Sequence, residues 1–214
     1  MAATTYPVQS PRDQLEGRLH GLRTDRYSWW ISWRELATFI LPRRYRWLVT
    51  ANQWNRGMGI NSAIIDSTGT IAARVLAAGM MSGITSPTRP WFKLRIEGYQ
   101  PDEINPVNLW LAAVERRMMR VFQESNFYNS IATVYFDISV FGTSAMLIHE
   151  DYDDVIRCTG PSLGEYYLGL LPNLTVGIFY REMVMTVSQI CEEFGEENVS
   201  QDVLNAYKQG GGSL

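Results

Sequence analysis

The sequence predicts an α+β fold, mainly helical over its N-terminal two-thirds, with a small antiparallel β element after that. Three observations predict it. Apolar residues recur every three or four positions from Leu15 to about Ile138, the period of helices with one packed face. After Glu150 the pattern changes to short runs of alternating residues around Pro172-Asn173, which read as strands and a hairpin. The 214 residues are 46% hydrophobic and 19% charged, a balance that favours a packed core over a disordered chain. The expected organisation is a flexible arm at 1–9, a helical region at 10–149, a β-hairpin with short helices at 150–208 and a flexible end at 209–214.

Ser10-Pro11-Arg12-Asp13 opens the first helix, with a side-chain cap, a proline at the first helical position and an acid in the first turn. Leu15, Leu19, Leu22, Trp29, Trp33, Leu36 and Ile40 form its apolar stripe, with Arg26 interrupting. Pro42 ends it, and an irregular loop runs to Gly59. Asn61 can cap a second helix, with Ile64, Thr68, Ile71, Val75 and Met80 on its apolar side. Ala72, Ala73, Ala77 and Ala78 make that helix thin, fit for close packing inside the fold. Trp91 to Ile96 alternates like a short strand.

Asn105-Pro106 opens a third helix, with Trp110, Leu111, Val114, Met118, Val121 and Phe122 inward and Arg116, Arg117 and Arg120 in solvent. A break at Ser125-Asn126 leads to a fourth, carrying Ile131, Val134, Tyr135 and Ile138 and stopped by Gly142. Strands are expected at Thr143–Ile148 and Val155–Cys158, and a hairpin at Tyr166–Leu170 with Thr175–Met185. Two short amphipathic helices, Val187–Phe194 and Val199–Lys208, follow, separated by Gly195. The closing Gly-Gly-Gly-Ser has a linker composition, as at a shortened or engineered end.

Charge and cysteine content exclude several function classes. The net charge of -3 gives no overall attraction to nucleic acid. Its distribution is uneven: residues 1–60 hold nine arginines against four acids, and from Glu150 onward eleven acids face three cations. That polarity suits either ordinary solvated faces or packing of one end on the side of another copy. The start has no signal-peptide pattern, and no apolar run approaches a bilayer span, so a soluble, intracellular chain without membrane contact is expected. Cys158 and Cys191 give neither a disulfide framework nor a metal cluster. His20 and His149 stand in no nucleophile motif, and Gly69-Thr70 lacks the Gly-Lys-Ser/Thr of a phosphate loop. Glu150, Asp151, Asp153 and Asp154 can ligate a divalent cation, as a hydrolase site would, but lack the EF-hand spacing; an acidic turn is the better reading. Asp66 and Asp137, inside apolar stretches, are either buried partners of arginine or outward-facing. No cofactor, metal or catalytic residue is expected.

Residues 42–59 mix Arg43, Arg44, Arg46 and Arg56 with Tyr45, Trp47 and Trp54. Such a mixture can neutralise phosphates and stack bases, making a nucleic-acid-binding module of residues 43–56. It also matches the arginine and aromatic hot spots of protein interfaces, and the acidic overall charge favours that reading.

Residues 66–92, DSTGTIAARVLAAGMMSGITSPTRPWF, resemble a segment of tailed-bacteriophage portal proteins, the head-to-tail connectors of short-tailed phages. Asp66-Ser67, Leu76-Ala77-Ala78-Gly79, Thr85-Ser86-Pro87 and Pro90-Trp91-Phe92 follow that family's order. Trp33-Arg34-Glu35-Leu36-Ala37, Leu41-Pro42, Ser125-Asn126-Phe127, Phe141-Gly142-Thr143-Ser144-Ala145 and Tyr180-Arg181-Glu182-Met183 extend the likeness from about Ser10 to about Phe194. The resemblance implies a portal wing-like fold and a structural subunit of a homo-oligomeric, typically dodecameric ring at one capsid vertex of the virion, assembled in the bacterial host cytoplasm. Its implied partners are capsid protein, terminase, tail and adaptor proteins, and double-stranded DNA passing through without sequence readout. It implies no enzyme, since ATP hydrolysis belongs to the terminase, and it places clip, channel helix and crown beyond this portion. On that reading Trp29, Trp30, Arg43, Arg44, Arg46, Trp47, Trp54 and Arg56 are the expected subunit or capsid contacts.

Overall fold

The computed structural model describes residues 10–44, 64–96, 106–183 and 185–209. The fold is α+β and mainly helical, as the sequence predicts. The chain forms two compact units, Met1–Phe179 and Tyr180–Leu214.

Helix α1 spans Pro11–Phe39, with the Ser10 hydroxyl accepting from the Asp13 amide at 3.2 Å. Pro42 stops it, but residues 42–44 are themselves helical rather than loop, because a proline that ends one helix also suits the first turn of the next. The packed face of α1 differs from the expected stripe. Leu22, Arg26, Trp30, Trp33 and Ala37 face inward, whereas Trp29 is 62% exposed. Arg26 therefore belongs to the packed face and does not interrupt it.

Helix α2 is Thr68–Ile84, starting later than an Asn61 cap would place it. The Asp66 carboxylate accepts from the Thr68 amide at 3.2 Å, fixing the turn that launches the helix; this outward-facing group is held below its ordinary pKa by bonds from the Thr68 hydroxyl and amide. The small residues Ala73 and Ala77 are the buried ones, while Ile71, Val75 and Leu76 are exposed. Close approach of α2 to its neighbour fixes that choice, since an alanine ridge allows it and a valine ridge does not. Residues 91–96 form no strand, contrary to expectation. Their backbone goes to a side chain instead, with the Leu94 amide donating to Glu115 Oε1 at 2.6 Å.

Helix α3, Pro106–Glu124, buries Leu111 and leaves Arg116, Arg117 and Arg120 exposed. Trp110, expected inside, is 62% exposed. Helix α4, Phe127–Phe141, packs against α1, α2 and α3 and buries Phe127, Val134, Tyr135, Asp137 and Phe141. Gly142 ends it at φ 75, a left-handed position that costs glycine little.

Strands β1 (Leu147–Asp151) and β2 (Val155–Thr159) pair antiparallel, with Ile148 opposite Cys158. β1 starts later than Thr143, because residues 143–146 lie outside the ladder. At the turn, Asp151 Oδ1 accepts from the amides of Asp153 and Asp154 at 2.9 and 3.2 Å. These bonds, with Arg157 at 2.7 Å, hold the Asp151 carboxyl below its usual range. Val155 closes the turn at φ 69, a conformation unfavourable to a β-branched residue. Val155→Asn is expected to raise stability by about 1 kcal/mol, since asparagine tolerates that region. A urea titration showing no gain would refute this.

β3 (Tyr166–Leu170) and β4 (Val176–Arg181) form the second hairpin. A core of Ala37, Leu41, Phe141, Leu163 and Tyr166 unites α1, α4 and the approach to β3. In the second unit, α5 (Val187–Phe194) begins with a capping box in which Thr186 and Gln189 exchange bonds, and a 3-10 turn at Glu196–Asn198 leads to α6 (Gln201–Lys208). The Gly195 separator at φ 79 lies where the sequence places it, and α6 starts at Gln201 rather than Val199.

Candidate functional site, an arginine-rimmed groove

Three side-chain clusters shape the first unit. The first is an aromatic stack on which residues 91–92 sit. Trp91 lies parallel to Phe127 at 6.2 Å, and Phe122 stacks on Phe127 at 4.5 Å. The Trp91 indole N–H donates to the Tyr128 hydroxyl at 3.3 Å. The Pro-Trp-Phe motif thus fastens the chain after α2 onto α3 and α4. Asn126 holds β2 in a similar way. Its Oδ1 accepts from the Cys158 amide and its Nδ2 donates to the Cys158 carbonyl, both at 2.8 Å, so one side chain stands in for a strand partner.

The second and third clusters are arginine anchors on one turn, residues 162–166. Arg44 makes a bidentate pair with Asp137, with Nη2–Oδ2 at 3.0 Å and Nε–Oδ1 at 3.2 Å, and donates to Ser162 Oγ at 2.6 Å. Asp137 is 3% exposed. Burial pushes its carboxyl above the ordinary value, and the Arg44 charge pulls it partway back. Arg26 donates from Nη1 to the Leu163 and Tyr166 carbonyls and from Nη2 to the Gly164 carbonyl. Its guanidinium lies 3.9 Å from the Tyr167 ring centroid and 4.6 Å from that of Trp30. Burial raises the neighbouring Tyr166 hydroxyl to about 12, so it stays protonated at physiological pH.

An open groove of about 630 Å³ lies beside this ion pair. Ala77, Ala78 and Met81 of α2 face Ala132, Thr133 and Phe136 of α4 across it. Arg43, Arg44 and Arg74 border it, which makes an apolar trough with a cationic edge. Arg43 and Arg74 are exposed.

Among the residues singled out from sequence, Trp29 projects from α1 and stacks on Trp33 at 6.4 Å, and Arg43 lies on the groove edge. Trp30 packs against the core beside Arg26, and Arg44 is engaged by Asp137 and Ser162. Arg46, Trp47, Trp54 and Arg56 lie outside the described residues. Of the two options for the aspartates, Asp137 is a buried partner of arginine and Asp66 faces outward. Sequence reading missed Arg26 and Arg74. The signal for Arg26 was its place four residues after Leu22 and four before Trp30, on one helical face.

Chemically, the arrangement offers an apolar trough with cationic groups at its edge. Among the described residues no group of three or more His, Cys, Asp or Glu side chains converges as metal ligands would. The acidic cluster at Glu150–Asp154 is a turn, as the sequence predicts, with Asp151 used by backbone amides and Arg157. His20 and His149 are exposed on α1 and β1. Among the described residues no helix is long and apolar enough to cross a membrane.

The helical unit offers an open groove with arginines at its edge. The chain belongs to the family of bacteriophage head to tail connecting proteins, which matches residues 12–213. It is similar to the "Portal protein" of Salmonella phage epsilon15, 41% identical over 203 residues that cover 95% of this chain and 36% of that one. It is also similar to the "Probable portal protein" of Bordetella phage BPP-1, 39% identical over 202 residues, covering 94% of this chain and 36% of the relative. The chain thus spans about a third of the length of these curated relatives. The resemblance read from residues 66–92 and its flanking motifs is borne out.

Proposed function

We propose that this chain forms part of the structural subunit of a phage portal ring at one capsid vertex, serving genome packaging, ejection and head–tail joining. The observation that carries the reading is 41% identity to a portal protein across 95% of the chain. On this reading the subunit assembles as a closed homo-oligomeric ring, typically dodecameric, in the host cytoplasm. Double-stranded DNA passes through it, and capsid protein, terminase and tail or adaptor proteins bind it. The subunit supplies shape and contacts, and no catalysis. Of the contact residues expected from sequence, Trp29 and Arg43 have the exposure that a contact requires, while Trp30 and Arg44 act by holding the surface in shape. Arg46, Trp47, Trp54 and Arg56 remain candidates for the same contacts.

Negative-stain imaging of the protein purified from its full reading frame is expected to show closed rings with a central opening. Monomers at every concentration would overturn the proposal. Steeply salt-dependent DNA retention by such monomers would favour instead a nucleic-acid-binding module at residues 43–56.

A further inference from the structure

A closed ring is built from heterologous contacts, in which one patch of a subunit meets a different patch of the next. The two patches must therefore be complementary rather than self-complementary. This inference rests on the ring reading above and asks which two patches meet.

The first unit presents the groove between α2 and α4. Its floor is apolar, from Ala77, Met81, Ala132 and Phe136, and Arg43 and Arg74 stand exposed at its edge. A trough of this kind takes an apolar side chain flanked by carboxylates. The second unit presents a matching feature. Helix α5 ends in Phe194, a large apolar side chain left 52% exposed. Glu192, Glu193, Glu196 and Glu197 flank it in sequence, and all four are exposed. The same opposition holds across the chain, with nine arginines against four acids in residues 1–60 and eleven acids against three cations from Glu150 onward.

We propose that the acidic end of α5 in one copy docks into the arginine-edged groove of the next copy, with Phe194 seated between α2 and α4 and the glutamates paired with Arg43 and Arg74. The groove volume of about 630 Å³ leaves ample room for a phenylalanine ring. The charges set the direction and register of the contact, and the buried ring holds it. A like-signed meeting of two grooves or two α5 ends is repelled, so the pairing selects head-to-side assembly over symmetric dimers.

Charge reversal on the protein from its full reading frame tests the pairing. The variant Arg43→Glu/Arg74→Glu is expected to lose rings in native mass spectrometry, and so is Glu192→Arg/Glu193→Arg. Combining all four substitutions in one chain is expected to restore them. These side chains are exposed, and a circular dichroism melt checks each variant for folding. A second measurement does not depend on reversal. Protein carrying Ala78→Cys is mixed with protein carrying Glu196→Cys, which keeps the Phe194 ring, and oxidised, and a covalent dimer between the two preparations is expected, each alone giving none. Rings that survive both reversals, or a mixture that gives no covalent dimer while rings form, would overturn this pairing and leave the ring reading standing. Absence of rings in the unmodified protein would remove both.

Discussion

Arg44→Met is expected to lower folding stability by about 3–5 kcal/mol at neutral pH, the cost of leaving a buried charge without its partner. The carboxylate left behind, Asp137, is 3% exposed and receives two bonds from the guanidinium in the native chain. The loss should depend on pH in a definite direction. Burial already holds the Asp137 carboxyl above its ordinary value, with Arg44 opposing. Removing Arg44 removes the opposition and raises it further. A carboxyl raised in the folded state contributes stability fully below its unfolded pKa and loses it as pH rises through the folded one. Ionisation of the unfolded aspartate is common to both chains, so the variant falls increasingly behind once pH passes the native Asp137 pKa, itself above the ordinary aspartate value, and the deficit stops growing above the variant's still higher one. Replacing both partners, as Arg44→Met/Asp137→Leu, should recover most of the loss, because neither charge is then buried alone. Urea unfolding of native, single and double variants at several pH values measures all three statements. A deficit that shrinks as pH rises would refute the assignment.

Arg26→Ala is expected to cost about 3 kcal/mol, from charge-assisted bonds to backbone carbonyls and the aromatic contacts. Arg26→Lys should recover less than half of that. An ammonium cannot reach the Leu163, Gly164 and Tyr166 carbonyls with one planar fork while lying on the Tyr167 ring. Amide exchange locates the effect: residues 163–166 should lose protection in both variants, while α3 should keep its own. Full protection of the turn in Arg26→Ala would show that the carbonyls need no such clamp.

Most elements were legible because their signals are local. Ser10-Pro11 and Pro42 bound α1, Gly142 stops α4 as expected, and Pro172-Asn173 marks the second hairpin. The failures share a cause in tertiary contact. Hydropathy placed Trp29 on the packed face and left Arg26 off it. The structure does the reverse, because Arg26 has three carbonyls and two rings to meet, whereas Trp29 stacks on Trp33 and stays 62% exposed. Trp91–Ile96 alternates as a strand does, yet its partners are aromatic rings and Glu115 rather than a second strand. The groove itself was half legible: the alanine ridge of α2 could be read from sequence, but not that Arg43 and Arg74 border one trough.

The two arginines that fasten the 162–166 turn also set a schedule for synthesis. Arg26 and Leu163 are separated by 137 positions. A ribosome adding about 5–20 residues per second makes α1 roughly 7–27 s before the turn that covers it. Through that interval Trp30 and Trp33 have no native cover from Leu163 and Tyr166. Nascent chains on neighbouring ribosomes then present the same uncovered aromatics to one another, which favours misassociation during that interval.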